Sequence, residues 1–215
     1  MKPKLIIFDF DGTLGDTRQN IIKTFRDAIA TLGLPERDEE TLAATIGLPL
    51  PAGFAQLFPD LSEEQITLCT STYREHFERN KKLLVPNLFP GVKETIEAIR
   101  SRGIRMSVAS SRSSRSLNEF LQEMGVSKYI FYVLGADNVT HAKPHPGPVL
   151  KTLDELGVTA EDAMVVGDMP VDIEMGTRAG VRTCEVTYGN ASREALEAAG
   201  AVFIIDRFPE LLDFI

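Results

Sequence analysis

Apolar positions recur along the chain in two rhythms. Six short runs are rich in isoleucine and valine and bounded by glycine or acid: Leu5 to Phe8, Ile104 to Ala109, Ile130 to Leu134, Ala163 to Val166, Val181 to Val186 and Val202 to Ile205. Runs of this length without polar alternation predict strands covered on both faces, as in a parallel sheet. Between most of them the spacing changes to that of a helix. Val92, Ile96 and Ile99 share one face of the segment from Gly91 to Arg100; Leu117, Phe120, Leu121 and Met124 do the same before Gly125; Val149, Leu150, Leu153 and Leu156 precede Gly157. Alternating strand and helix predicts an α/β fold with a Rossmann-like, doubly wound parallel sheet.

The interval after the first strand breaks this alternation. From Thr17 to Leu83 no run reads as a strand, while Ile21, Ile22, Phe25, Ala28, Ile29 and Leu32 recur at helical spacing and stop at Gly33. Ser62 with Gln65 three residues on has the form of a capping box, opening a helix to about Asn80. Two shorter helices are expected between, separated by "GLPLPAGF". The chain thus divides into a core of residues 1–16 and 84–215 and a helical insertion of residues 17–83, rejoined through "VPNLFPG".

Composition narrows the possible partners. The 215 residues carry 23 bases and 31 acids, a net charge of -8, which argues against nucleic acid or an anionic membrane. A small anion is still admissible, because a local site can be positive. Cys69 and Cys184 lack metal-ligand spacing and are expected to be free thiols in a reducing compartment. The run Leu5 to Phe8 meets Asp9 too soon for a signal peptide, and no run approaches the roughly 20 apolar residues of a membrane span. A cytoplasmic protein is the expectation.

Ligands of open α/β sheets bind beyond the carboxyl ends of the strands. The first strand ends in Asp9, Asp11, Gly12 and Thr13, and the second in Ser110 and Ser111. "AKPHPGP", with Lys143, follows the third, and "GDMPVDIEMG", with Asp168 and Asp172, ends the fourth. Singly, each is ambiguous, since Asp-Gly is a common turn pair and serine after a strand commonly caps a helix. Together they bring four acids, one cation and hydroxyl donors to one rim. Clustered carboxylates need a counter-charge, and a hard divalent cation such as Mg²⁺ suits few carboxylates plus a phosphate oxygen. Ser110, Lys143 and the amides of the Gly12 turn could bind that phosphate.

On "DFDGT", "ASS", "KPHP" and "GDMPVD", in that order, the chain resembles the phosphatases of the haloacid dehalogenase superfamily, specifically the phosphoglycolate phosphatase-like branch with a helical cap. The resemblance covers essentially the whole chain. It implies that Asp9 is a nucleophile and Asp11 a general acid and base. Ser110, Ser111, Lys143 and Gly12 would bind the phosphoryl group. Asp9, Asp168, Asp172 and the Asp11 carbonyl would serve the Mg²⁺ site. The implied reaction is hydrolysis of a small phosphomonoester, phosphoglycolate-like or a sugar phosphate, through an aspartyl-phosphate. A β-phosphoglucomutase-like mutase, a pyrophosphatase and a non-catalytic phosphate-binding protein are the alternatives. The chain departs from the pattern in two places. Ser110, Ser111 and Arg112 stand where phosphoglycolate phosphatases tend to have Thr-Asn-Lys, and Gly15 stands where a larger aliphatic is usual. The apolar "TIGLPLPAGFAQLF" offers no base for a second anionic group, so Lys23, Arg26 or Arg74 is expected to supply one, with Arg26 facing the site. Arg112 to Arg115 are read as a solvated turn as readily as an anion site. His145 is read as structural.

Overall fold

A computed structural model describes residues 2–215. The strands in chain order are β1 (Leu5–Phe8), β2 (Gly15–Asp16), β3 (Asn87–Leu88), β4 (Arg105–Ala109), β5 (Tyr132–Leu134), β6 (Ala163–Gly167), β7 (Arg182–Val186) and β8 (Phe203–Ile205). The helices are α1 (Arg18–Thr31), α2 (Glu39–Ala43), α3 (Leu50–Leu57), α4 (Glu63–Leu83), α5 (Val92–Ser101), α6 (Ser114–Glu123), α7 (Gly147–Leu156), α8 (Pro170–Arg178) and α9 (Arg193–Ala198).

Six strands form one parallel sheet in the order β5-β4-β1-β6-β7-β8. The chain builds outward from β1 to one side, then returns to build outward on the other. Its reversal point therefore lies at the carboxyl end of β1, where such sheets place their ligands. Successive β1 residues serve opposite faces. Ile6 and Phe8 pack with Val92, Ile96 and Ile99 of α5, whereas Leu5 and Ile7 pack with Val149 of α7 and Met175 of α8. All four are fully buried, which accounts for the unbroken apolar run.

Several strands begin one or two residues later than the apolar runs that announce them. Phe131 illustrates why: it precedes β5, is half exposed, and lies under the Arg100 guanidinium at 4.8 Å from its ring centre. A cation over an aromatic face lets an apolar residue remain outside the sheet.

The helical stretch lies between β2 and β3, which pair antiparallel, Gly15 with Leu88 and Asp16 with Asn87. Both crossings of the chain between sheet and helices are thus tied at one short ribbon. The four helices bury an aromatic cluster of their own, with Phe25 5.1 Å from Phe54 and 4.8 Å from Tyr73 between ring centres. "GLPLPAGF" corrects the sequence reading, because its second half opens α3 instead of separating two helices. Pro51 stands in the first turn, where its missing N–H is no loss, and Phe54 is fully buried.

The capping box at α4 forms as read. The Ser62 hydroxyl accepts from the Gln65 amide at 3.3 Å, and the Ser62 amide donates to the Gln65 side chain at 2.9 Å. The helix runs on to Leu83, three residues past the expected end. Ser62→Ala is expected to lower unfolding free energy by about 1 kcal/mol, read as a lower urea midpoint with unchanged slope.

Candidate active site

The turn after β1 is organised around Phe10. Its side chain is fully buried, and its carbonyl accepts from the amides of Thr13, Leu14 and Gly15 at 3.3, 3.0 and 2.9 Å. With Phe10 fixed inward, the flanking Asp9 and Asp11 side chains are left at the rim. Gly12 turns the chain back at φ +83°, and a methyl group there would collide with the Asp168 carboxylate. Gly189 makes room for the same carboxylate, and Gly167 for that of Asp172.

Lys143, on the loop after β5, is buried with its ammonium 2.7 Å from Asp9 Oδ1 and 2.6 Å from Asp172 Oδ1. Asp172 sits in the first turn of α8, and its Oδ2 accepts from the Met169 amide at 3.2 Å. Asp168 accepts at Oδ1 from Thr13 Oγ1 at 3.1 Å, and at Oδ2 from the Asn190 amide and side chain at 2.8 and 2.9 Å. Oxygens of Asp9, Asp168 and Asp172 lie within 4.8 Å of one another, and Asp9 Oδ2 is buried without a partner.

Burial pushes the Asp9 carboxyl up to about 7; the Lys143 charge opposes this, while the Asp172 and Asp11 charges add to it. Asp168 rises well above the carboxylate range, chiefly from burial and then from the Asp9 and Asp172 charges. Burial disfavours the Lys143 ammonium, but Asp172 and Asp9 outweigh it and hold it above the usual lysine range. Three carboxylates against one ammonium leave two uncompensated negative charges when all are ionised. That surplus, the unpartnered Asp9 oxygen and the all-oxygen donor set fit a divalent cation.

The structure gathers Asp9, Lys143, Asp168 and Asp172 as the sequence predicts, and gives the nearby Asp11 carboxylate other partners. The Asp11 carboxylate accepts from Thr17 Oγ1 at 2.6 Å and from Arg112 Nε at 2.7 Å to each oxygen. Arg112 is accordingly no solvated turn residue. Ser110 lies just beyond β4, its hydroxyl accepting from the Arg112 amide at 3.3 Å. Ser111 instead reaches across to the helical insertion, donating to the Gly47 carbonyl at 2.6 Å.

A cavity of about 590 Å³ separates the rim from the insertion. Asp11, Ser111 and Arg112 stand on one side of it, and Phe25, Tyr73 and Arg74 on the other. Arg26 does not face it: its guanidinium lies 3.6 Å from Glu39, because α1 turns its apolar face inward and its charged face to solvent. Lys23 is likewise paired, with Asp27. His145 accepts from the Gly147 amide at 2.9 Å, a local turn contact. Both cysteines are free and buried, and among the described residues no helix is long and apolar enough to cross a membrane.

Two residues near the acids escaped the sequence reading. Asn190 holds Asp168, and Glu185 of β7 is fully buried with neither oxygen partnered, its pKa raised well above the usual range by burial and then by Asp172 and Asp168. "EVTYGN" closes the fifth strand of the sheet, so the strand-end rule applied once more would have found both.

Known proteins resemble the chain over most of its length. Residues 6–186 match the family model described as haloacid dehalogenase-like hydrolase. A "Probable phosphatase IndB" of Dickeya dadantii is 37% identical over 99% of this chain and 93% of its own. A pyrophosphatase PpaX of Oceanobacillus iheyensis is 32% identical over 100% and 98%, and a phosphoglycolate phosphatase of Aquifex aeolicus 32% over 86% and 85%. The crystal structure of a "haloacid dehalogenase-like hydrolase" from Bacteroides fragilis superposes with TM-score 0.89 at 26% identity, covering 98% of this chain and 100% of that one. The chain belongs to the haloacid dehalogenase-like hydrolase family and is a phosphatase of that family.

The role of Asn190 is open to measurement. Its two hydrogen bonds fix Asp168, and removing a partner of this kind typically weakens cation affinity about 10- to 100-fold. Asn190→Ala is expected to show that loss when Mg²⁺ binding is followed by calorimetry.

Proposed function

We propose that the chain is a Mg²⁺-dependent phosphatase that hydrolyses a small phosphomonoester through an aspartyl-phosphate on Asp9. The observation that carries this reading is the buried Lys143 ammonium between Asp9 and Asp172, beside an Asp9 oxygen with no partner. One Asp9 carboxylate oxygen attacks phosphorus, and the bond to the leaving oxygen breaks. Asp11 supplies the proton the leaving oxygen needs, then takes one from the water that cleaves the acyl phosphate, so that each proton is returned. Lys143 and the Ser110 hydroxyl hold the phosphoryl oxygens, fixing the group in line with Asp9; the Gly12 amide, expected from the sequence to join them, instead donates to the Gly15 carbonyl at 3.0 Å. Asp9, Asp168, Asp172 and the Asp11 carbonyl would hold Mg²⁺, which supplies charge neutralisation to the phosphoryl group when bound.

In this reading residues 1–16 and 84–215 are the catalytic core and residues 17–83 a cap. The ribbon of β2 and β3 is the crossing about which the cap moves, admitting substrate and then excluding water. The substrate is a small phosphorylated metabolite. The two buried free thiols favour the cytoplasm.

Phosphate release from phosphoglycolate, sugar phosphates, nucleoside monophosphates and pyrophosphate should depend on Mg²⁺, stop with chelator, and vanish in Asp9→Asn. Isomerised sugar phosphate with little free phosphate would show a mutase instead; full activity in Asp9→Asn would overturn the mechanism.

A second measurement needs no substrate. Asp9 holds its proton up to about pH 7, and a cation requires the ionised form. Mg²⁺ affinity is therefore expected to rise as pH climbs through about 7, with proton release near that pH. Calorimetry in two buffers of different ionisation enthalpy would detect it. The release should shrink in Asp9→Asn.

A further inference from the structure

Arg112 is held in a way that its pairing with Asp11 does not exhaust. Its side chain is 10% exposed, and its guanidinium carbon lies 4.9, 5.1 and 5.9 Å from the ring centres of Phe120, Phe77 and Phe10. These rings come from α6, from α4 of the insertion and from the turn after β1, so the cation sits where all three meet. Nε takes both Asp11 oxygens, and Nη1 lies 3.4 Å from Ser116 Oγ. Nη2 is 2.7 Å from Asp11 Oδ1 but misaligned for a hydrogen bond, and is buried with no acceptor. A buried cationic donor without an acceptor is rare in folded proteins, and it borders the cavity. Across that cavity stands Arg74 of α4, with no ion pair or hydrogen bond among the described residues. Arg115, which also lines the cavity, is taken by Glu119 at 3.0 Å.

Asp11 is equally committed. Both its oxygens accept from Arg112, and one also from Thr17, so neither is free to reach a leaving group. We infer that Arg112 is a specificity-determining residue: it binds a second anionic group on the leaving portion of the substrate and in exchange lets Asp11 go. The substrate class is then a phosphomonoester or phosphoanhydride whose leaving group is itself anionic, bearing a carboxylate or a second phosphate. Either oxyanion accepts the two-pronged donor of a guanidinium, which Nη1 and Nη2 can present once Asp11 withdraws. Arg74 meets the same anion from the insertion side. An uncharged leaving group offers nothing to exchange, and Asp11 stays held. The inference rests on the proposed phosphatase reading and names its substrate class.

The test compares matched substrates on one protein sample: phosphoglycolate and pyrophosphate as the two anionic arms, ethyl phosphate as the uncharged one. The wild-type protein should favour at least one anionic substrate in kcat/KM. Arg112→Gln should reduce that preference about 10- to 100-fold, the worth of a charge-assisted hydrogen bond. Arg112→Lys should restore part of it. Because the preference is a ratio taken on one sample, loss of folded protein cancels. Equal loss on charged and uncharged substrates would overturn the inference, as would a wild-type protein without preference. Binding separates this from the reaction itself. In Asp9→Asn, calorimetry should show phosphoglycolate or pyrophosphate binding at least about tenfold tighter than ethyl phosphate, and the Arg112→Gln double variant should lose the difference. Binding preference without turnover would leave the inference standing and remove the phosphatase reading; turnover without preference would do the reverse.

Discussion

Everything at the rim depends on one buried ammonium. Lys143 lies between Asp9 and Asp172 with almost no exposure, and removing one member of such a set typically costs about 3–5 kcal/mol, because a charge is left buried and alone. The arrangement survives only because its parts come from rigid places. Asp9 follows directly on a strand end, and Asp172 is fixed in the first helical turn by the Met169 amide. The glycines at 12, 167 and 189 are the other half of this constraint, since a side chain at any of them would take the space of Asp168 or Asp172. Carboxylate packing this tight leaves a deficit of positive charge that a single lysine does not cover, and the same deficit makes the rim a place for a divalent cation.

Phe10 links this cluster to α6. It separates the two acids of "DFDGT", stacks on Phe120 at 5.8 Å and 8° between ring planes, and gathers three amides onto its carbonyl. The side chain of the residue at position 15 would fall on its ring: a Cβ there would stand 3.1 Å from two ring carbons. Gly15 is thus explained by space. A larger aliphatic would press on Phe10, and through it on the turn that sets Asp9 and Asp11. The same glycine begins the ribbon that joins sheet and insertion, so the smallness of one residue serves both the site and the crossing.

How much of this could be read from residues alone follows from the range of each interaction. Strand runs and helix spacing are local signals, and they gave the parallel sheet and the insertion. The strand-end rule then brought Asp9, Lys143, Asp168 and Asp172 together, because topology fixes which strand ends are neighbours. Ser62 with Gln65 was legible because both partners lie within four residues. Arg112 was not: its partner Asp11 lies 101 residues away, and its aromatic surroundings come from three separate elements. Arg26 failed for the opposite reason, since helical spacing shows which residues share a face but not which way that face turns. Ser111 followed the rule to the rim, yet its hydroxyl is drawn to Gly47 by a segment whose approach no local pattern records. Glu185 and Asn190 lie at and beyond the end of β7, where the same topology brings one more strand end to the rim.

The net charge of -8 and the anion-binding chemistry are compatible for a physical reason. Charges on the exposed surface are screened within about 8–10 Å at ordinary salt. Screening fades where water is excluded, so Lys143 and Arg112, both largely buried, act at short range through weakly polarisable surroundings. The two cations divide the work by chemistry. Lysine, a compact point charge, sits among the acids where the phosphoryl group would be handled. Arginine, planar and forked, faces the cavity where the remainder of a substrate would lie, with three aromatic rings to hold its plane. Total charge governs approach from a distance; what happens at the rim is decided by which charged donors still lack an acceptor, and Arg112 Nη2 is the one cationic donor of that kind among the described buried side chains.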